Sequence, residues 1–117
     1  MNRAPRPWQV WWVGFDAEPV GHEQAAQRPA IIVNSDFYRE HRPGMSLVVP
    51  LTTRDRGLPW QPRVSIVSPS GNPGVALVEQ IRAVSHDRLF ARDRRILSAG
   101  DVDSVRFVLR QMIDVES

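Results

Sequence analysis

Arg28 stands at the mouth of a strand-like apolar run, "RPAIIV", and Pro29 fixes the backbone directly behind it. A guanidinium on so rigid a base is suited to gripping phosphate oxygens, because its planar fork donates two parallel hydrogen bonds. Thr52 and Thr53 close a second apolar run, "MSLVVPLTT". If the two runs are antiparallel neighbours, the end of one meets the beginning of the other, and a hydroxyl joins the guanidinium at one edge of a sheet. Glu23, in the loop before Arg28, is placed to act as a base or to pair with that arginine. His22 beside it reads either as a site residue or as a solvated loop side chain. Trp60 lies between Leu58-Pro59 and Gln61-Pro62, with Arg54, Arg56 and Arg63 close in sequence. An aromatic ring among arginines is how single-stranded nucleic acid is held by stacking; a tryptophan folded back onto the core is the competing reading. Each of these residues alone is ordinary for a protein surface, and the signal lies in their convergence.

The rest of the composition narrows the chemistry. There is no cysteine, which removes disulfides, thiolate nucleophiles and thiolate metal sites together. No His-rich metal spacing, glycine-rich phosphate loop or nucleophile elbow is present. All fifteen basic residues are arginine, so the pI near 10.3 reflects side chains that do not titrate more than it reflects the net charge of +2. That composition permits nucleic-acid binding, and a GC-rich genome that encodes arginine in place of lysine is the plainer explanation. No apolar run approaches the ~20 residues needed to span a bilayer, and "MNRAPRPW" lacks the hydrophobic stretch of a secretory signal. The expectation is a cytoplasmic protein of one domain, residues 1–117, with its core between about 9 and 113.

The elements that must position these residues are legible as short runs. "QVWWVGF", Gln9 to Phe15, is apolar on both alternating faces and reads as a strand covered on both sides. Ala17 to Gln27 reads as a loop, Arg28 to Val33 as a strand, and "NSDFYRE" as a short helical turn. Met45 to Leu51 is a third strand in which Pro50 removes a ladder donor, pointing to an edge or a bulge. A polar loop, Thr52 to Pro62, leads into a strand over Arg63 to Ser68. "VALVEQIRAV", Val75 to Val84, reads as one long strand whose alternation breaks at Glu79 and Gln80. Ser85 to Phe90 reads as a helical turn. The arginine-rich stretch from Arg82 to Arg95 reads as a phosphate-facing rim or as solvated surface. Ser98 and Asp101 form a capping box for a helix over Ser98 to Val115, with Val102, Val105, Val108, Leu109, Met112 and Ile113 on one stripe. The fold class is mostly β: a small, strongly bent sheet or partly closed barrel with a C-terminal helix.

The ordered series "VWWVGFD", "GHEQAAQRPAIIV", "GMSLVVPLTTRDRGLP" and "GVALVEQIRAV", followed by an amphipathic helix, resembles the MazF/PemK family of toxins from type II toxin-antitoxin systems. The resemblance runs from about Gln9 to Ile113. It implies an SH3-like, CcdB/PemK-type barrel, working as a homodimer and inhibited by a cognate antitoxin. The activity it implies is metal-independent and cofactor-independent cleavage of single-stranded RNA. In that family the arginine of R-P and the threonine after the P-L strand are the catalytic pair, roles that fall on Arg28 and Thr52. A guanidinium is a poor base at neutral pH, so Glu23 is the candidate for assisting proton removal. RNA contacts are expected from His22 and Gln24 in the first loop and from Thr53, Arg54, Arg56 and Trp60 in the second. Gln80 and Arg82 of E-Q-I-R complete that set. The sequence departs from the family at Trp8-Gln9, where similar chains carry Gly-Asp or Gly-Glu, and in the loop after "VWWVGFD". Two other functions fit a similar barrel: a CcdB-like poison that binds a topoisomerase, and an RNA-binding module that does not cut.

Overall fold

The computed structural model describes residues 4–15, 27–67 and 73–114. Among the described residues, seven strands and two helices follow in the order β1 (Val10–Gly14), β2 (Gln27–Ile32), α1 (Asp36–His41), β3 (Met45–Thr52), β4 (Arg63–Val67), β5 (Pro73–Ala76), β6 (Arg82–Ser85), β7 (Leu89–Asp93) and α2 (Ala99–Met112). Hydrogen-bonded neighbours run β4-β5-β3-β2-β1-β7, with β6 also on β3, and every pairing is antiparallel. The result is a bent, open sheet with a helix against one face, as the sequence led one to expect.

β3 is the axis of this arrangement. Its first half, Met45 to Val48, pairs with β6, and its end, Leu51–Thr52, pairs with β5. The stretch from Val75 to Val84 is therefore two strands and not the single long one expected. A 3₁₀ turn over Val78–Gln80 separates them, closed by the Gln80 N–H donating to Leu77 O at 2.9 Å and the Ile81 N–H donating to Val78 O at 3.2 Å. The cause is visible in the composition: Glu79 and Gln80 cannot continue an apolar alternation, and both emerge exposed at the corner. β3 is not an edge strand either. The Pro50 carbonyl accepts from the Leu77 N–H at 2.8 Å, so the side on which proline lacks a donor faces the gap between β5 and β6. No ladder bond is lost there.

The core has two layers. Val10, Ile31, Val49, Leu51, Val64, Ala76, Val78 and Leu97 meet Val105 and Val108 of α2 on one face; Trp11, Val13, Ala30, Ile32, Val48 and Val84 form the other. Alternation along β1, β2 and β3 assigns neighbouring residues to opposite layers. Both apolar faces of β1 are thus covered by this chain itself. At roughly 1.5–3 kcal/mol for each fully buried branched aliphatic or Leu side chain, these two layers hold the strand ends that frame the site.

α2 is seated by its first turn. The Asp101 N–H donates to Ser98 Oγ at 3.0 Å and the Ser98 N–H to Asp101 Oδ2 at 3.1 Å, which is the expected capping box. The same carboxylate accepts the Ser65 N–H and, at 2.5 Å, the Ser65 hydroxyl, tying the helix to β4. The helix ends at Met112, earlier than expected, and Met112 and Ile113 are exposed where the apolar stripe had suggested burial. The stripe outruns the sheet beneath it, and only Val105 and Val108 reach full cover. β7 was not anticipated. It pairs with β1 as an edge strand carrying exposed Phe90, Ala91 and Arg92, so no buried alternation marks it in the sequence. The expected turn before it is a 3₁₀ turn over His86–Arg88.

Trp8 takes a left-handed φ of 69°. Its N–H donates to Ile32 O at 2.6 Å, and the Arg106 guanidinium lies 5.1 Å from its ring centroid. Packing against the core and this cation contact offset a conformation that is costly for a bulky residue.

Candidate functional site

The β2–β3 ladder sets the geometry. Ala30 faces Pro50, Ile31 faces Val49 and Ile32 faces Val48. Continued by two residues, this register puts Arg28 opposite Thr52 and, because strands alternate with period two, on the same face. Both line one open groove of about 490 Å³, together with Arg54, Arg56, Trp60, Gln61, Glu79 and Gln80. Leu58 and Leu77 supply its apolar wall.

Arg28 is held from the other side of β2, where its backbone pairs with Val13 of β1. Its side chain is exposed and, among the described residues, no carboxylate pairs with it. Thr52 ends β3 opposite Val75 of β5. The Thr52 hydroxyl oxygen accepts the Arg54 N–H at 3.2 Å. That bond occupies one lone pair and leaves the O–H free to donate into the groove.

The loop between β3 and β4 carries the remaining cations. Asp55 shapes it by accepting the Gly57 N–H at 2.8 Å and the Arg63 guanidinium. Gly57 takes a φ of +68°, a left-handed conformation open to glycine. The Arg63 bond first, and then that of Gly57, hold the Asp55 carboxyl below its ordinary range. Arg63 is therefore tied to Asp55 and is not one of the free cations around Trp60. A turn closed by the Gln61 N–H on Leu58 O at 3.0 Å presents Trp60, which is 39% exposed. Trp60 is folded neither away from the groove nor wholly onto the core.

The groove thus gathers Arg28, Thr52, Arg54, Arg56, Trp60 and Gln80 of the expected set. Thr53 is exposed at the bend after β3 and does not line it. Arg82 is also elsewhere: it pairs in register with Val48, four residues back along β3 from Thr52, or roughly 13 Å at strand rise. Its guanidinium lies 5.3 Å from the Phe15 ring centroid. The corner at Val78–Gln80 is the reason, since it leaves Gln80 at the groove and sends β6 toward the far end of β3. Within the arginine-rich stretch, Arg95 is bound to Asp93, which it holds below the usual carboxylate range. Glu23, His22 and Gln24 lie outside the described residues.

Gln61 and Glu79, outside the set expected from the sequence, also line the groove. Gln61 is 7% exposed, and its Nε2 donates to Glu79 Oε2 at 2.7 Å. The interruption of the alternation at Glu79 was the available signal for the second. A buried Gln61 depends on a contact between loop and corner that leaves no local trace. Among the described residues, no cluster of three or more His, Cys, Asp or Glu side chains could hold a metal ion. No helix among them is long and apolar enough to cross a membrane.

Residues 6–113 match the family model described as a PemK-like, MazF-like toxin of type II toxin-antitoxin system. The Endoribonuclease toxin MazF of Escherichia coli (strain K12) is 38% identical over 74 residues, covering 63% of this chain and 62% of that protein's length. The crystal structure of MazF (Form-I) from Deinococcus radiodurans superposes with a TM-score of 0.71 at 25% identity, covering 95% of this chain and 97% of that one. An endoribonuclease in complex with its cognate antitoxin from Mycobacterial species has a TM-score of 0.73 at 18% identity, covering 97% and 99%. At that identity the likeness concerns the fold.

Proposed function

The chain belongs to the PemK-like, MazF-like toxin family of type II toxin-antitoxin systems, and on that premise we propose that it is an endoribonuclease acting on single-stranded RNA. The observation that carries the proposal is the common groove of Arg28 and Thr52, walled by two further arginines and a half-open tryptophan.

RNA brings its own nucleophile. Attack of a 2'-hydroxyl on the adjacent phosphorus expels the 5'-oxygen of the next nucleotide, leaving a 2',3'-cyclic phosphate and a 5'-hydroxyl. The protein's task is to hold the attack in line and to stabilise the charge that accumulates on the nonbridging oxygens. The Arg28 guanidinium donates to those oxygens, a contribution of about 3 kcal/mol by analogy with oxyanion-hole donors. Thr52, its hydroxyl oriented by the Arg54 N–H, donates to the same phosphate and fixes its position. Glu23 is assigned to assist removal of the 2'-hydroxyl proton, and the departing 5'-oxygen takes up a proton from solvent. Arg54 and Arg56 follow the phosphate backbone while Trp60 stacks on a base. His22 and Gln24 are assigned to the same strand from the first loop.

A cognate antitoxin and a second copy of the chain complete the reading, with action in the cytoplasm. Exposed Ile96, Phe107, Met112 and Ile113 along and before α2 supply apolar surface for a protein partner. The test is incubation with mixed single-stranded RNAs in EDTA, followed by analysis of the ends. Cyclic-phosphate and 5'-hydroxyl ends support the proposal. Intact RNA, or cleavage unchanged in Arg28→Ala, refutes it.

A further inference from the structure

Glu79 is out of place in a groove built to receive a polyanion. It lines the same groove as Arg28, Arg54 and Arg56 yet pairs with none of them. Its hydrogen-bond partner is Gln61, a side chain more than nine-tenths buried. A carboxylate accepts only, so the amide must present its NH₂ to Glu79, and this fixes which way the amide faces. The Gln61 Oε1 is then left buried with no partner. A buried amide with an unmet acceptor is costly, and it is accompanied here by a definite effect: it holds one oxygen of Glu79 in place. The exposed remainder of the carboxylate keeps its capacity to accept.

A phosphate cannot be the group that meets this carboxylate, since both are anions. A hydrogen-bond donor must, and the donors that RNA offers in a single strand are base edges and 2'-hydroxyls. Among base edges only guanine sets two donors side by side, N1–H and the N2 amino group, matching the two oxygens of one carboxylate. Uracil flanks its single N–H with carbonyls, and adenine and cytosine pair one amino donor with a ring acceptor that a carboxylate repels.

Resting on the ribonuclease reading above, the geometry points to Glu79 as the reader of a guanine edge in the groove of Arg28 and Thr52, with Gln61 as the residue that positions it. Trp60, lining the same groove, offers a face on which a base can stack.

The test uses short single-stranded RNAs varied at each position around the cut, with cleavable strands for rate and 2'-O-methyl strands for binding. Guanine at one position is expected to be favoured over the other bases on the order of tenfold, the usual worth of a good bidentate base contact. Inosine, which lacks the N2 amino group, should lose most of that preference. Glu79→Gln should abolish the distinction between guanine and inosine. Gln61→Leu, which fills the same buried space without a donor, should reduce it while leaving the melting temperature within a few degrees of wild type. Equal handling of guanine and inosine by the wild type, or a guanine preference that survives Glu79→Gln, overturns the inference. Cutting with no base preference at any position overturns this inference alone. A wild-type protein that neither binds nor cuts any strand overturns the ribonuclease reading as well.

Discussion

Arg28 and Thr52 fall opposite one another when the β2–β3 register is continued two residues past Ala30 and Pro50, and both line one groove. Two consequences follow for the chemistry. The guanidinium is anchored through a backbone held on its far side by β1, and the hydroxyl is oriented by the first residue of the cationic loop, Arg54.

The hydroxyl makes a discriminating prediction. Thr52→Ser keeps both the acceptor for the Arg54 N–H and the free O–H, and should retain cleavage within a few-fold. Thr52→Val removes both at nearly constant volume. It should slow cleavage at least tenfold, the effect of about 1.5–3 kcal/mol for a hydrogen bond to a charged group. Single-turnover rates on one RNA compare the two.

Trp60 and the arginines beside it should separate in their salt dependence. Trp60→Ala should weaken binding of an uncleavable strand by about 1–3 kcal/mol with the slope against salt unchanged, because stacking releases no counterions. Arg54→Ala or Arg56→Ala should lower that slope by about one phosphate contact each. Fluorescence anisotropy across a salt series measures both, and identical slopes in all three variants would contradict the assignment.

Asp101 contributes to acid stability. Burial alone would raise its pKa, but the Ser65 hydroxyl and the Ser98 and Ser65 N–H groups together hold it below the ordinary value. A carboxyl depressed in the folded state stabilises the fold above its unfolded pKa of about 3.9, and that contribution is lost as pH falls through the folded value. Asp101→Asn should therefore cost about 1–3 kcal/mol near neutrality, and the gap to wild type should close below about pH 4. Urea unfolding at several pH values tests this; a gap independent of pH would rule it out.

Gly14 is required by contact and not by backbone conformation. A Cβ there would lie 2.8 Å from the Phe90 ring, at the point where β1 meets β7 next to the Arg28 pairing. Gly14→Ala should destabilise by about 1–3 kcal/mol, the range for overpacking. Gly14→Ala combined with Phe90→Ala should lose less than the sum of the two single changes. Additive losses in thermal unfolding would show that the ring yields without cost.

Much of this architecture is legible from local pattern. The two-sided apolar run of β1, the Ser98–Asp101 capping box and the runs that became β2, β3 and β4 are each specified by a few neighbouring residues. The meeting of Arg28 and Thr52 follows from antiparallel pairing alone. What escaped sequence reading depends on distant contacts. β7 is recognisable only through its pairing with β1, since its own residues are largely exposed. The corner at Val78–Gln80 looked like a flaw in a strand because the two halves of β3 that receive β5 and β6 cannot be inferred from the run itself. Gln61 reads as a loop glutamine until Glu79 is brought to it across eighteen residues of chain. The E-Q-I-R motif puts Gln80 and Arg82 close together in sequence, and the same corner separates them in space.

The central claim is that one fixed guanidinium stabilises the charge of the cleavage transition state. It is tested most directly by the single-turnover cleavage rate of Arg28→Ala against wild type, with binding of a 2'-O-methyl strand measured in parallel. The account predicts a rate lower by about 10²–10³, with affinity reduced by no more than about tenfold and the melting temperature unchanged. A rate within a few-fold of wild type, in a variant that binds RNA normally, would contradict it.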